Sequence, residues 1–67
     1  MSVLKLRMKL LERKMSVTEL SNRTGIKRDT LYRRMKDAGN FTIGEVEKIK
    51  DVLELDDQDA SAIFFGK

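Results

Sequence analysis

The sequence predicts an all-α fold, a compact bundle of about five short helices. Apolar residues recur three and four positions apart along most of the 67-residue chain, and no long run alternates apolar with polar residues as a surface strand does. Two stretches carry Ser or Thr followed three residues later by Glu, the capping-box pattern that begins a helix. A chain of this length builds one small core, so we expect residues 1–67 to form a single domain.

The first helix is predicted over about Val3–Lys14. Four apolar side chains recur at helical spacing along one of its faces: Leu4, Met8, Leu11 and Met15. Leu6 and Leu10 widen this apolar surface. We interpret the stripe of four as the face that packs into the core.

The second helix is predicted to begin at Ser16, its cap, and to run to about Arg23 or Thr24. Glu19 stands three residues after Ser16 and completes a capping box. Gly25 ends the helix, because glycine adopts the left-handed conformation of a helix end without steric cost.

A third helix is predicted over about Lys27–Lys36, with Leu31 and Met35 on its inner face, and a polar turn at residues 37–40 ends it. The fourth helix begins at Thr42, which forms a second capping box with Glu45. Its inner face holds Val46, Ile49 and Leu53. The final stretch DDQDASAIFFG predicts a short fifth helix, whose acids lie at the end that the helix dipole favours.

The second and third helices, joined by a tight turn, form a helix-turn-helix, and in its DNA-binding form the second of these helices enters the major groove. The third helix is strongly cationic: it holds Lys27, Arg28, Arg33, Arg34 and Lys36. On a helical wheel Arg33 and Lys36 lie away from Leu31 and Met35, Arg34 lies on a flank, and Lys27 and Arg28 lie in the first turn. Residues 1–36 contain 11 Lys+Arg against 3 Asp+Glu, whereas residues 37–67 contain 3 against 8. The basic half indicates an anionic partner such as DNA.

The stretch SVTELSNRTGIKRDTLYRRM resembles the helix-turn-helix of the Cro and phage-repressor family of small bacterial DNA-binding proteins. The matching positions are Leu20, Gly25, Ile26, Thr30 and Leu31. FTIGEVEKIKDVLEL is similar to the fourth helix of that family, and IFFG is similar to the ending of small Cro-like proteins from phages and prophages. Val17 departs from the pattern, because relatives commonly carry Gln there, and Ser21 replaces a usual Ala. The resemblance implies five helices and a DNA-binding regulator.

We expect the first turn and outer face of the third helix to contact DNA bases through Lys27, Arg28, Asp29, Tyr32 and Arg33. Phosphate contacts are expected from polar side chains around the motif: Ser16, Thr18, Thr30, Arg34, Lys36 and Asn40. A merely solvated face is the alternative for Arg28 and Arg33. Asp29 could accept from a cytosine amino group, orient Arg33 or favour the helix N-terminus. Tyr32 could touch a phosphate or a thymine methyl group, or pack at the helix edge.

Adjacent residues on a helix point about 100° apart, so Phe64 and Phe65 cannot both face one core. The surplus ring is a candidate dimer contact, and we expect the dimer contact to come from Ile63, Phe64 and Phe65. The predicted function is a sequence-specific transcriptional regulator, in the manner of a Cro-type repressor, that binds a palindromic operator on double-stranded DNA as a homodimer. A separate ligand or oligomerisation domain is not expected. The alternatives are a protein-interaction module, such as an antitoxin or anti-repressor, and a recombination accessory protein.

Other function classes are disfavoured by composition. The chain has no Cys and no His, so disulfides, thiolate sites and imidazole bases are excluded. We find no nucleophile–base pair or metal constellation in the sequence, and therefore expect no catalysis, no cofactor and no small-molecule ligand. The apolar runs are too short to span a bilayer, and basic residues interrupt the N-terminal apolar stretch, unlike a signal peptide. A cytoplasmic location without membrane contact is expected.

Overall fold

A computed structural model describes residues 3–36 and 41–65 of the chain. The helices are α1 (Val3–Glu12), α2 (Val17–Thr24), α3 (Arg28–Lys36), α4 (Ile43–Leu53) and α5 (Asp57–Ala60), and α5 continues into a π-helical segment, Ser61–Phe65. No strand occurs within the described ranges. The predicted all-α fold with a helix-turn-helix at α2 and α3 is confirmed. The predicted turn at residues 37–40 lies outside the described residues.

Both predicted helix starts are present. The Thr42 hydroxyl accepts the backbone N–H of Glu45 at 3.1 Å, and the Glu45 carboxylate accepts the backbone N–H of Thr42 at 2.9 Å. This capping box is complete. At α2 the Ser16 hydroxyl accepts the N–H of Glu19 at 3.1 Å, but the Glu19 carboxylate lies 3.3 Å from the guanidinium of Arg23.

Two helices end in the left-handed conformation at a residue other than glycine. Lys14 has φ 52° after α1, and Glu54 has φ 53° after α4. The amide that follows each of them donates five residues back, to the carbonyls of Leu10 and Lys50, at 2.9 Å. These are Schellman motifs, whose left-handed position is usually a glycine. The first helix therefore ends at Glu12, two residues before the predicted end.

Replacing Lys14 by glycine is expected to raise the free energy of unfolding. A side chain in the left-handed conformation costs about 1–2 kcal/mol, and the extra freedom of glycine in the unfolded chain offsets about 0.5–1 kcal/mol of that gain. We expect a net gain of up to about 1 kcal/mol in urea unfolding. Lys14→Ala is the matched control, because it removes the side chain without relieving the backbone. Equal stability of the two variants would contradict this explanation.

All five helices and the π-helical segment contribute to one core. The buried apolar residues are Leu6, Leu10, Leu20, Ile26, Leu31, Met35, Ile49, Leu53, Leu55, Ala60, Ile63 and Phe64. The ring of Phe41, which precedes α4, meets the ring of Phe64 edge-on, with centroids 5.6 Å apart. Leu20 of α2 and Leu31 of α3 are fully buried, so the helix-turn-helix is anchored from both of its helices.

The predicted inner face of α1 is wrong for three of its four residues, whereas the fourth, Met15, lies beyond the end of α1 and packs half-buried against the core. Leu4, Met8 and Leu11 are 70%, 52% and 76% exposed, whereas Leu6 and Leu10 are buried. The helix carries two apolar stripes on different faces, and only one of them can face the core. Helical periodicity is the same for both stripes, so it does not choose between them.

The C-terminal aromatic pair divides as expected, one ring inside and one outside. Phe64 is buried in the core, and Phe65 is 69% exposed. Ile63 is also buried. The prediction of dimer contacts through Ile63 and Phe64 therefore does not fit the fold, because both side chains are already enclosed by their own chain. Of the three residues, Phe65 is the one that a second chain can reach.

Candidate nucleic-acid interface

The turn between α2 and α3 is held by side chains as well as by glycine. Gly25 adopts φ 77° and ψ 4°, and its N–H donates to the carbonyl of Ser21 at 2.9 Å. The buried Thr24 hydroxyl donates to the carbonyl of Leu20 at 2.7 Å and accepts the N–H of Ile26 at 3.2 Å. The Ser21 hydroxyl donates to the carbonyl of Ile26. These bonds fix the angle at which α3 leaves α2.

The inner face of α3 is formed by Leu31 and Met35, both buried. Its outer face and first turn, together with the residue that precedes it, expose Lys27, Arg28, Asp29, Tyr32, Arg33 and Lys36. All five residues predicted to contact bases are therefore accessible on the protein surface. Asp29 and Arg33 are exposed because they lie opposite the buried Leu31 and Met35, whereas Lys27 and Arg28 are exposed because they lie at the start of the helix.

A shallow depression of about 400 Å³ lies between α2 and the start of α3. It is lined by Thr18, Ser21, Asn22, Lys27, Arg28 and Asp29. The guanidinium of Arg28 donates to the Thr18 hydroxyl at 3.4 Å, across the two helices of the motif. Asn22 was not predicted as a site residue. It lies one helical turn after Thr18, and that spacing would have placed both polar side chains on the face next to α3.

The cations of α3 differ from those of α1 in their surroundings. The Nζ of Lys9 lies 3.3 Å from a carboxylate oxygen of Asp59, and a guanidinium nitrogen of Arg13, just after α1, lies 3.0 Å from one of Glu54, so acids of the C-terminal half neutralise part of the basic charge in and after α1. Among the described residues, Lys27, Arg33 and Lys36 make no ion pair. Arg7, Lys14 and Lys48 make none within these ranges either, so the largest group of cations without an ion pair there lies on α3 and the residue before it.

Arg34, which is predicted to contact phosphate, forms an ion pair within its own chain. Its side chain is half-buried, and its Nε lies 3.3 Å from Oε1 of Glu45. The same carboxylate oxygen accepts the N–H of Thr42, so Arg34 joins the last turn of α3 to the cap of α4. Arg34 stands three residues after Leu31, on the flank that turns toward the core. Its position relative to Leu31, rather than its charge, distinguishes it from Arg33.

The other predicted phosphate contacts are placed in several ways. Ser16 and Thr18 are exposed at the start of α2, where Ser16 caps the helix and Thr18 accepts from Arg28. Thr30 is half-buried, and Lys36 is exposed in the last turn of α3. Asn40 lies outside the described residues. The N-terminus of α2 and the outer face of α3 thus present accessible polar groups in one motif.

Residues 5–60 match the model of the Cro/C1-type HTH DNA-binding domain. The chain belongs to this family. The match runs from α1 to α5 and includes every residue that lines the depression. The exposed cationic helix of this Cro/C1-type domain, α3, is therefore the second helix of a DNA-binding motif. No curated protein and no solved structure matches the chain.

Residues 3–36 and 41–65 of the Cro/C1-type domain contain neither a metal-binding group nor a membrane-spanning helix. No group of three or more His, Cys, Asp or Glu side chains is placed to hold a metal ion. No helix in these ranges has the length and apolar character needed to cross a membrane, since the longest, α4, has 11 residues.

Proposed function

We propose that this Cro/C1-type domain is a sequence-specific transcriptional regulator, a Cro-type repressor that binds a palindromic operator as a dimer. The observation that carries the proposal is the exposed face of α3, where the basic side chains of Lys27, Arg33 and Lys36 make no ion pair among the described residues. An unpaired cationic face is costly because like charges repel, and DNA phosphates would offset that repulsion.

Individual roles follow from position on α3. Lys27 and Arg28 lie at the N-terminal end, which usually reaches base edges, and Arg33 lies one turn further along the outer face. Arginine can bind guanine through two parallel hydrogen bonds. Lys36, in the last turn, is proposed to contact phosphate.

Asp29 is proposed to accept a hydrogen bond from a cytosine amino group. In the described part of the chain its carboxylate forms no ion pair with Arg33, so the orienting role has no support in the free protein. The exposed carboxylate of Asp29 repels DNA phosphates, which are also negative. It can accept a hydrogen bond from the amino group of cytosine. The half-exposed Tyr32 is proposed to meet a thymine methyl group or a phosphate.

Two copies are proposed to place their α3 helices in successive major grooves, about 34 Å apart. A single module buries little DNA surface, and two-fold pairing doubles the contacts.

The alternatives are less well supported: an antitoxin or anti-repressor that bound protein through α3 would expose apolar side chains there. The half-exposed ring of Tyr32 is the largest apolar group on that outer face, and charged residues surround it. A recombination accessory protein would use the same DNA-binding face.

Selection of bound sites from random duplex DNA tests this proposal. We expect one enriched motif with two-fold symmetry. Binding to that motif should weaken with salt, and log K should fall against log salt with a slope of about −0.9 for each phosphate neutralised. Recovery of no motif, or binding that salt leaves unchanged, would contradict a sequence-specific DNA-binding role.

A further inference from the structure

The exposed apolar residues Leu4, Met8 and Leu11 form what we call the α1 stripe. They follow spacings of four and three residues, which is the spacing of a helix–helix packing seam. A surface helix normally turns one apolar face to the core and a polar face to solvent. In α1 the core face is already formed by Leu6 and Leu10, so the α1 stripe is a second apolar face without a partner in its own chain.

Grooves lie on both sides of the α1 stripe. One groove, of about 230 Å³, runs between α1 and the π-helical segment, and its apolar lining is Met8, Ala62 and Ile63. The other, of about 260 Å³, runs between α1 and the start of α2, and its apolar lining is Leu10, Leu11, Met15 and Val17. The surface therefore consists of a ridge between two apolar grooves.

We propose that a second copy of this chain packs on the α1 stripe through its own α1 stripe. Helices pack by inserting the side-chain ridge of one into the groove of the other. A two-fold interface uses the same patch on both copies, so the patch must contain both a ridge and a groove that fit each other. The α1 stripe and its neighbouring grooves meet that requirement within one surface.

The charges around the first groove also fit a second copy. Its rim carries two bases and two acids: Lys5, Lys9, Glu12 and Asp59. Lys9 is already paired with Glu12 and Asp59 of its own chain, so a two-fold partner meets a rim whose charges are balanced and partly paired, and the two copies do not repel each other there. DNA would gain little there, because the rim has no excess of positive charge. This surface therefore favours protein, whereas α3 favours DNA.

Three exposed apolar side chains on a helix of 10 residues form a small patch, which predicts a weak dimer in the absence of DNA. Apolar patches on small proteins cover about 300–600 Å². A stable interface buries about 800 Å² on each partner, which is a large part of the 4640 Å² surface of this chain. We expect reversible pairing at high protein concentration, strengthened when an operator holds two copies. The role on the operator rests on the proposed function, but the self-association of the free protein does not.

Sedimentation equilibrium of the intact chain without DNA tests the pairing. Over about 10 μM to 1 mM protein, the average mass of the wild type should rise from monomer toward dimer. The double variant Leu4→Gln, Leu11→Gln should weaken the dimer at least about tenfold. Ile43→Gln is the matched control, because Ile43 is 77% exposed on α4 and lies outside the α1 stripe and its grooves. This variant should associate like the wild type. Circular dichroism checks that each variant is folded.

Crosslinking gives a second measurement, which detects the dimer directly and needs no variant that weakens it. The chain has no Cys, so Met8→Cys introduces a single thiol at the middle of the α1 stripe, near the expected two-fold axis. A short bismaleimide should then join two chains, and Ile43→Cys should give no such product. This result decides the matter if the double variant proves unfolded.

A wild type that stays monomeric over the whole concentration range would overturn the proposal. So would a dimer that survives the Leu4 and Leu11 substitutions, or one that Phe65→Gln or Ile43→Gln disrupts equally. Capture of a different protein by a monomeric wild type would assign the α1 stripe to that other partner. None of these outcomes bears on DNA binding, which the selection experiment measures separately.

Discussion

Replacing Arg33 by alanine is expected to weaken binding to the selected operator by about 1–3 kcal/mol and to relax the preference at one base step. Arg33 lies on the exposed face of α3, opposite the buried Leu31 and Met35. It makes no ion pair among the described residues, so its removal breaks no ion pair within residues 3–36 and 41–65. The expected loss is therefore a loss of contact with DNA, and the stability of the domain should not fall.

Arg28→Ala is expected to cause a loss of similar size for a partly different reason. Its guanidinium is bonded to the Thr18 hydroxyl at 3.4 Å, so the contact with α2 holds the side chain at the entrance of α3. Thr18→Val removes that support and keeps the charge. We expect Thr18→Val to weaken operator binding less than Arg28→Ala does. A Thr18→Val variant that bound as poorly as Arg28→Ala would mean that the predicted phosphate contact of Thr18 adds to its support of Arg28.

Fluorescence anisotropy on two duplexes, the selected operator and a scrambled sequence, separates the possible results for Arg33. Loss on the operator alone indicates base readout, and equal loss on both duplexes indicates a phosphate contact. Arg23→Ala is the matched control, because Arg23 is an exposed arginine that is paired with Glu19 of its own helix. If Arg33→Ala changed binding no more than Arg23→Ala does, α3 would not lie in the groove as proposed.

The helix-turn-helix was predictable because its signals are local. Ser16 caps α2 and Gly25 takes the left-handed conformation after it, and both roles depend on a few neighbouring residues. The charges of α3 were also predictable, since the burial of Leu31 and Met35 determines which side of the helix faces solvent. Local signals therefore established the motif and the accessibility of its base-contact residues.

The features that the sequence did not predict depend on distant parts of the chain. In α1, two apolar stripes have equal periodicity, and the rest of the core decides that Leu6 rather than Leu4 is enclosed. Arg34 has the same charge and helix as Arg33, but Glu45 of α4 lies within ion-pair distance of it. In both cases the sequence identified the character of the side chain, apolar or basic. It did not identify the packing or ion-pair partner, which lies more than ten positions away along the chain.

Gly25 and Gly44 are expected to respond with opposite signs to the same substitution by alanine. A Cβ atom built at either glycine would meet no other atom within 4 Å, so neither variant creates a clash. Gly25 has φ 77°, where a side chain costs about 1–2 kcal/mol. Gly44 is the second residue of α4, where alanine is still favoured over glycine, but by less than the value of about 0.8–1 kcal/mol for a helix interior. Gly25→Ala should therefore destabilise the domain, and Gly44→Ala should stabilise it.

Urea unfolding measures both changes, and Gly25→Val should cost more than Gly25→Ala because a β-branched residue is still less tolerant of positive φ. The two positions also differ in their effect on DNA binding. Any backbone shift that relieves the strain at Gly25 must alter the turn that sets the angle of α3, so operator binding should fall even under conditions where the variant is fully folded. Gly44→Ala should leave the angle of α3 unchanged. If Gly25→Val were as stable as the wild type and bound its operator as tightly, the left-handed turn between α2 and α3 would not be what positions the recognition helix.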